Sequence, residues 1–141
     1  MIRVEKFRTD NKELANKAFA IREEVFVSEQ CVKREEEYDN FEDESTHYLA
    51  FNNEKPVATA RWRETEKGVK LERFAVLKPY RRKGFGEAIL QEVLKDVKPL
   101  KKKIYLHAQL TAVKFYERNG FEKEGDVFEE ANILHYRMFL V

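Results

Sequence analysis

The stretch "FAVLKPYRRKGFGEAILQEVLKDV", from Phe74 to Val97, constrains the fold more than any other part of the chain. An apolar strand end, Phe74-Ala75-Val76, passes through a short basic turn directly into an amphipathic helix. Ala88, Ile89, Val93, Leu94 and Val97 fall on one side of that helix. The chain has 5 glycines, and two of them, Gly84 and Gly86, stand directly behind Arg81, Arg82 and Lys83. A surface turn needs one at most. The first amides of a helix have no intrahelical acceptor, and the helix dipole favours negative charge there. Two glycines let the backbone approach a ligand without a Cβ in the way, and three cations add charge-assisted bonds at the rim. The pattern predicts an anion, most simply a phosphate, at this helix start. An ordinary basic turn is the plainer alternative. The Gly-x4-Gly-Lys-Ser/Thr loop and the Gly-x-Gly-x-x-Gly fingerprint are both absent here.

The rest of the chain reads as alternating strands and helices. Ile2 to Phe7 alternates like a half-buried strand, and Asp10 with Glu13 reads as a capping box. The helix that follows places Leu14, Ala18, Ile21, Arg22, Val25 and Phe26 at helical spacing. The acidic stretch from Ser28 to Ser45 reads as loop with one short helix. "THYLAFNNEKPVATARWRET" is two strands joined at Asn52-Asn53-Glu54-Lys55, and "VKLERFAV" is another. After the Gly84–Val97 helix come the strand "KIYLHAQL", the helix "TAVKFYERNG" closed by Gly120, and two final strands. The order β-α-loop-β-β-β-α-β-α-β-β predicts an α/β (α+β) fold, a mixed sheet with helices on its faces, as one domain over residues 1–141.

Charge and cysteine usage narrow the function. With 43% hydrophobic and 38% charged residues the chain reads as globular, and a net charge of +1 argues against a general nucleic-acid or membrane-surface role. Cys31 is the only cysteine, so no intrachain disulfide can form and a reducing, cytoplasmic setting is expected. "MIRVEKF" is too charged for a signal core, and no apolar run reaches membrane-spanning length. The three histidines make no metal triad at a convincing spacing.

Arg81-x-x-Gly84-x-Gly86, preceded by "FAV" and Pro79, resembles the acyl-CoA-binding signature of the GNAT acetyltransferase superfamily. "AVKFYERNGF", from Ala112 to Phe121, resembles the last conserved helix of that superfamily, with Tyr116 at its tyrosine. "VFVSEQCVKREEEYD", "THYLAF" and "EEANILHYRM" resemble its ElaA/YjcF-like branch. The resemblance spans nearly the whole chain. It implies a mostly antiparallel twisted sheet with splayed central strands, acetyl-CoA as cofactor, and transfer of an acetyl group to a small-molecule or peptide amine by direct attack.

The resemblance also implies roles. Arg81, Arg82, Lys83, Gly84, Phe85 and Gly86 would hold the coenzyme A pyrophosphate. Phe74, Ala75, Val76 and, on the next strand, Gln109 would border the pantetheine, with Val76 the main contact and the Phe74 amide an oxyanion donor. Tyr116 would lie beside the cofactor and protonate the leaving thiolate. Glu72, two residues before Phe74, shares its strand face and is a candidate base; an exposed ion pair with Arg61, Arg63 or Arg73 is its alternative. Lys70 stands where some relatives carry a base glutamate, a departure from their pattern. His135 is a second candidate base, and Arg22, Glu29, Gln30, His47 and Arg73 are candidates for the acceptor pocket. Cys31 reads as a packing or loop residue, and His107 as a neighbour of the pantetheine or a sheet-surface residue. The acidic run from Glu35 to Glu44 is a solvated loop or a negative rim for a cationic amine. Phe128 and Tyr136 would either supply a homodimer interface or complete the core. A non-catalytic CoA-binding regulator is the rival function, and a nucleic-acid-binding domain is opposed by the near-zero charge.

Overall fold

The structure is a computed structural model and describes residues 2–141. Its elements follow the predicted order. Strand β1 (Ile2–Phe7) leads to helix α1 (Lys12–Arg22), which continues as a π-helical segment, Glu23–Glu29, and then a short α2 (Arg34–Glu37). Three antiparallel strands come next: β2 (Thr46–Asn52), β3 (Lys55–Thr65) and β4 (Gly68–Val76). Helix α3 (Phe85–Val97), β5 (Ile104–Gln109), α4 (Val113–Arg118), β6 (Phe121–Glu130) and β7 (Ile133–Leu140) complete the chain.

The first helix starts one residue later than the capping box suggested. Asn11, not Asp10, is the N-cap, and its side-chain oxygen accepts from the Leu14 amide at 3.2 Å. Leu14, Ala18, Ile21 and Val25 are buried along one continuous stripe. That stripe carries the helix into the wider π turn, which local spacing does not distinguish from α. Two-residue turns are sharper in sequence: Asn53 takes a left-handed φ of 56° between β2 and β3.

All seven strands form one sheet in the order β1-β2-β3-β4-β5-β7-β6. Side-chain alternation on β2 divides two cores. Tyr48 and Ala50 join Ile89, Leu90 and Val93 of α3, whereas Leu49 and Phe51 join Leu14, Ala18 and Ile21 of α1. Helices therefore cover both faces. Leu90 and Val93 are fully buried, each contributing roughly 1.5–3 kcal/mol. Tyr136 packs against the α3 core and Phe128 stacks on His135, so both aromatics have partners inside the fold.

Every ladder is antiparallel except the one that matters most for the cleft. β4 and β5 are parallel and pair only through Val69–Leu71 with Ile104–Leu106. Gly68 permits that seam. Its φ is +135°, and a Cβ there would lie 2.2 Å from the Lys103 carbonyl oxygen, which accepts from the Val69 amide at 2.7 Å. No helix among the described residues is long and apolar enough to cross a membrane.

Candidate active site

The seam ends because β4 bulges. Arg73 has a left-handed φ of 59°, and Arg73 and Phe74 together stand opposite Ala60 alone in the register with β3. Beyond the bulge β4 and β5 part, opening a cleft of about 860 Å³ between Phe74–Val76 on one arm and His107–Gln109 on the other. The Leu77 amide donates to Val57 at 2.9 Å, so alternation turns the Val76 backbone groups away from β3 and into the gap.

One end of this cleft is the start of α3. Gly84 caps the helix at φ 89°, and the first helical bond runs from the Ala88 amide to the Gly84 carbonyl at 3.0 Å. The amides of Phe85, Gly86 and Glu87 have no acceptor among the described residues. A Cβ on Gly86 would make only ordinary contacts, 3.6 Å from Val76 Cγ2 and 3.8 Å from Phe115 Cζ. Packing therefore does not require glycine at 86, and its absence of a side chain serves the space over the amides. Arg82 and Lys83 are exposed beside them, while the Phe85 ring is buried edge-on against Tyr80, leaving only its amide for the site.

Arg81 lines the cleft as expected, but its guanidinium is engaged within the protein. Its Nε donates to the Val76 carbonyl at 2.9 Å, and its Nη1 and Nη2 grip the Glu29 carboxylate at 2.7 and 2.6 Å. The guanidinium is spent on a brace within the protein, and it takes the Val76 carbonyl with it. The Val76 amide is what remains for a ligand. Glu29, expected in the acceptor pocket, is the other half of this brace, and Arg81 holds its carboxyl below the usual range. The next residue makes a second tie: Gln109 Nε2 donates to Gln30 Oε1 at 2.9 Å. Adjacent residues Glu29 and Gln30 thus fasten the tips of both arms.

Tyr116 lines the cleft with its ring edge-on to Phe74, Phe115 and Phe121. Its hydroxyl has no protein partner among the described residues, and burial pushes its pKa up, so it keeps its proton at neutral pH. His135 lines the same cleft. Its Nδ1 lies 2.7 Å from the Ile133 carbonyl, which can only accept, so Nδ1 donates there and Nε2 has no protein partner among the described residues.

Glu72 is unsuited to the basic role expected of it. It is 8% exposed, and Arg61, Arg63 and Lys70 surround its carboxylate at 2.8, 2.9 and 3.2 Å. Although burial opposes the charge, these cations hold its pKa at about 2, leaving little affinity for an amine proton. It is ion-paired, as the alternative reading had it, but buried rather than exposed.

Two other pocket expectations are corrected outright. Arg22 is 1% exposed and absent from the cleft lining; it donates to Glu37 Oε2 at 2.7 Å and to both Glu42 oxygens at 2.9 and 2.7 Å. His47 is buried against Phe7, with Nε2 on the Glu42 carbonyl at 2.9 Å. Both face the α1 side as packing groups. Arg73 does border the cleft, but its guanidinium reaches the Glu37 carbonyl and Asp39 at 3.2–3.3 Å. The acidic stretch is consequently not a solvated loop throughout. Glu37, Asp39 and Glu42 bond buried or half-buried arginines, and Arg61 beneath them is completely buried. Cys31 is exposed and does not line the cleft. His107 does line it, 3.3 Å from Glu130, a partner that sequence spacing could not indicate.

A sheet split over one seam, with bare helix amides at one end of the gap and a protonated tyrosine within it, defines a class. The family described as the acetyltransferase (GNAT) domain matches residues 8–141, and the chain belongs to it: it is an acetyltransferase. It is 42% identical over 133 residues to the uncharacterized N-acetyltransferase YjcF of Bacillus subtilis (strain 168), covering 91% of this chain and 93% of that protein. The crystal structure of Escherichia coli ElaA superposes with a TM-score of 0.88 at 24% identity, covering 100% of both chains. An acyl-CoA N-acyltransferase from Pseudomonas aeruginosa gives 0.86 at 25% identity, again over 100% of both.

Proposed function

We propose that the protein is an acetyl-CoA-dependent N-acetyltransferase that acetylates a primary amine by direct attack in a ternary complex. The observation that carries this reading is the set of unpartnered amides at Phe85, Gly86 and Glu87, opening onto the cleft that also holds Tyr116 and His135. The fit to acetyl-CoA rests on three features of the chain. Bare amides at a helix start suit a pyrophosphate, Gly86 leaves them uncovered, and the inward Val76 amide suits an amide-bearing chain lying along β4.

Bound acetyl-CoA supplies a thioester whose acyl carbon an amine nitrogen can attack, the C–S bond breaking as the C–N bond forms. The protein's share is positioning and proton movement. Arg82 and Lys83 screen the phosphates, and the Phe74 amide at the bulge is the oxyanion donor. His135 accepts the amine proton at Nε2, and Tyr116 gives a proton from its hydroxyl to the sulfur. Glu72 positions Arg61, Arg63 and Lys70 in this scheme. Holding two reactants in one cleft accounts for much of the acceleration.

Calorimetric titration with acetyl-CoA, on wild type and Gly86→Glu, tests the reading. Binding should be tight in wild type and lost in the variant, with circular dichroism confirming that the variant is folded. Thiol release with an amine panel then separates the enzyme from a non-catalytic CoA-binding regulator. Absence of acetyl-CoA binding by the wild type would end the proposal.

A further inference from the structure

Resting on the acetyltransferase reading, we infer that the acceptor amine also carries an anionic group, a carboxylate or phosphate, and that Arg63 and Lys70 form the subsite for it. The two residues are direct partners across β3 and β4, two like charges facing each other on one sheet surface. That placement is unfavourable unless an anion lies between them. The protein supplies only part of one. Glu72 takes Arg61 Nε at 3.0 Å and Nη2 at 2.8 Å, Arg63 Nε at 2.9 Å and Nη2 at 3.4 Å, and Lys70 Nζ at 3.2 Å. Three of these contacts are hydrogen bonds and two are ion-pair contacts, so three cations share a single carboxylate.

Arg61 has other anions, Asp39 at 2.8 Å and Glu42 at 2.9 Å. Arg63 makes no ion pair beyond Glu72 among the described residues, and Lys70 has besides Glu72 only the longer-range attraction of Glu130. Arg63 Nη1 has no partner among the described residues, and Lys70 Nζ has only its ion-pair contact with Glu72. Glu130, also on the cleft, is engaged by His107 at 3.3 Å and makes no ion pair with Lys70.

Exposure decides against an ordinary solvated pair. The side chains of Arg63 and Lys70 are only 14% and 16% exposed, so water and salt screen them far less than they screen Arg82 or Lys83. Both line the cleft. Arg63 is also held in place, its guanidinium 3.9 Å from the centre of the Phe41 ring. A planar fork with free N–H groups beside a point charge suits an oxyanion better than any other ligand group.

A matched set of five-carbon amines tests the assignment: pentylamine, δ-aminovalerate and cadaverine, each at saturating acetyl-CoA. In wild type δ-aminovalerate should exceed pentylamine in kcat/KM by roughly tenfold, cadaverine should be poorest, and Lys70→Met should bring the first ratio close to one. A second measurement needs no turnover. Glutarate or inorganic phosphate, titrated into the CoA-loaded protein, should shift the Arg63 Nε–H resonance saturably, and the shift should weaken in Lys70→Met. Whichever of the two anions binds more tightly identifies the acceptor's anionic group. Preference for cadaverine, or no shift at Arg63 with either anion, would overturn the subsite. If none of the amines is acetylated while glutarate or phosphate still shifts Arg63, the subsite stands and its acceptor is not a five-carbon alkylamine.

Discussion

Glu29 and Arg81, 52 residues apart, meet in a two-point salt bridge of 2.6 and 2.7 Å that ties the π-helical segment to the loop before α3. An anion of the protein thereby occupies a cation that the family resemblance offered to the pyrophosphate. Donor affinity and the position of the acceptor-side segment are linked through one contact.

Glu29→Gln should therefore tighten acetyl-CoA binding. Removing a negative charge beside an anion site strengthens attraction, by up to roughly fivefold at low salt and less at high salt. Because the pair is about a third exposed, thermal stability should change little. Calorimetry at two ionic strengths measures both the direction and its screening.

Tyr116→Phe removes the hydroxyl and keeps the ring among Phe74, Phe115 and Phe121. Steady-state kinetics should show kcat reduced by about 10²–10⁴ with the acetyl-CoA Kd nearly unchanged. A change in Kd without a change in kcat would make this tyrosine a packing residue. Since burial raises its pKa, the alkaline limb of the wild-type profile should lie above that of an ordinary phenol if Tyr116 sets it.

Acid stability follows from Glu72 and Asp39. Each has a native pKa of about 2, below the ordinary values of 4.5 and 3.8, because arginines hold both ionised. The unfolded chain binds these protons first, so stability is complete above about pH 5 and declines as pH falls toward 2. Urea midpoints across that interval should drop steeply in wild type and less steeply in Glu72→Gln, whose stability should already be lower at neutral pH.

Gly68→Ala should be costly despite its small volume. The added carbon meets a backbone oxygen at 2.2 Å in a left-handed conformation, so the β4–β5 seam must shift. A loss on the order of 2–5 kcal/mol is expected from chemical denaturation. A neutral outcome would mean that the seam can slide.

Elements and their order were legible because local signals fix them: alternation in β1, the stripe Leu14–Ala18–Ile21 in α1, and the glycine at the head of α3. Splaying of the central strands came from the family resemblance, and the bulge at Arg73 is its physical cause. The long-range ionic contacts were not legible. Arg22 fits a helical stripe as well as it fits a pocket, and only its distance to Glu37 and Glu42 tells which. A run of carboxylates looks solvated until Arg61 is placed beneath it by the β3–β4 register. Likewise nothing near Arg81 in sequence announces Glu29.

The three-pair seam makes the molecule a book with a narrow spine, one leaf carrying β1–β4 and the other β5–β7. From Leu71 to Val76 an arm extends about 17 Å beyond the spine, so a rotation of about 5° there displaces its tip by about 1.5 Å. Leverage of that kind would turn a small shift at Gly68 into a larger change of gape at the tips, and the α3 core that joins Leu71 to Leu106 and Met138 across the seam opposes it. Glu29 and Gln30 form a clasp across the open edge, one contact to each leaf.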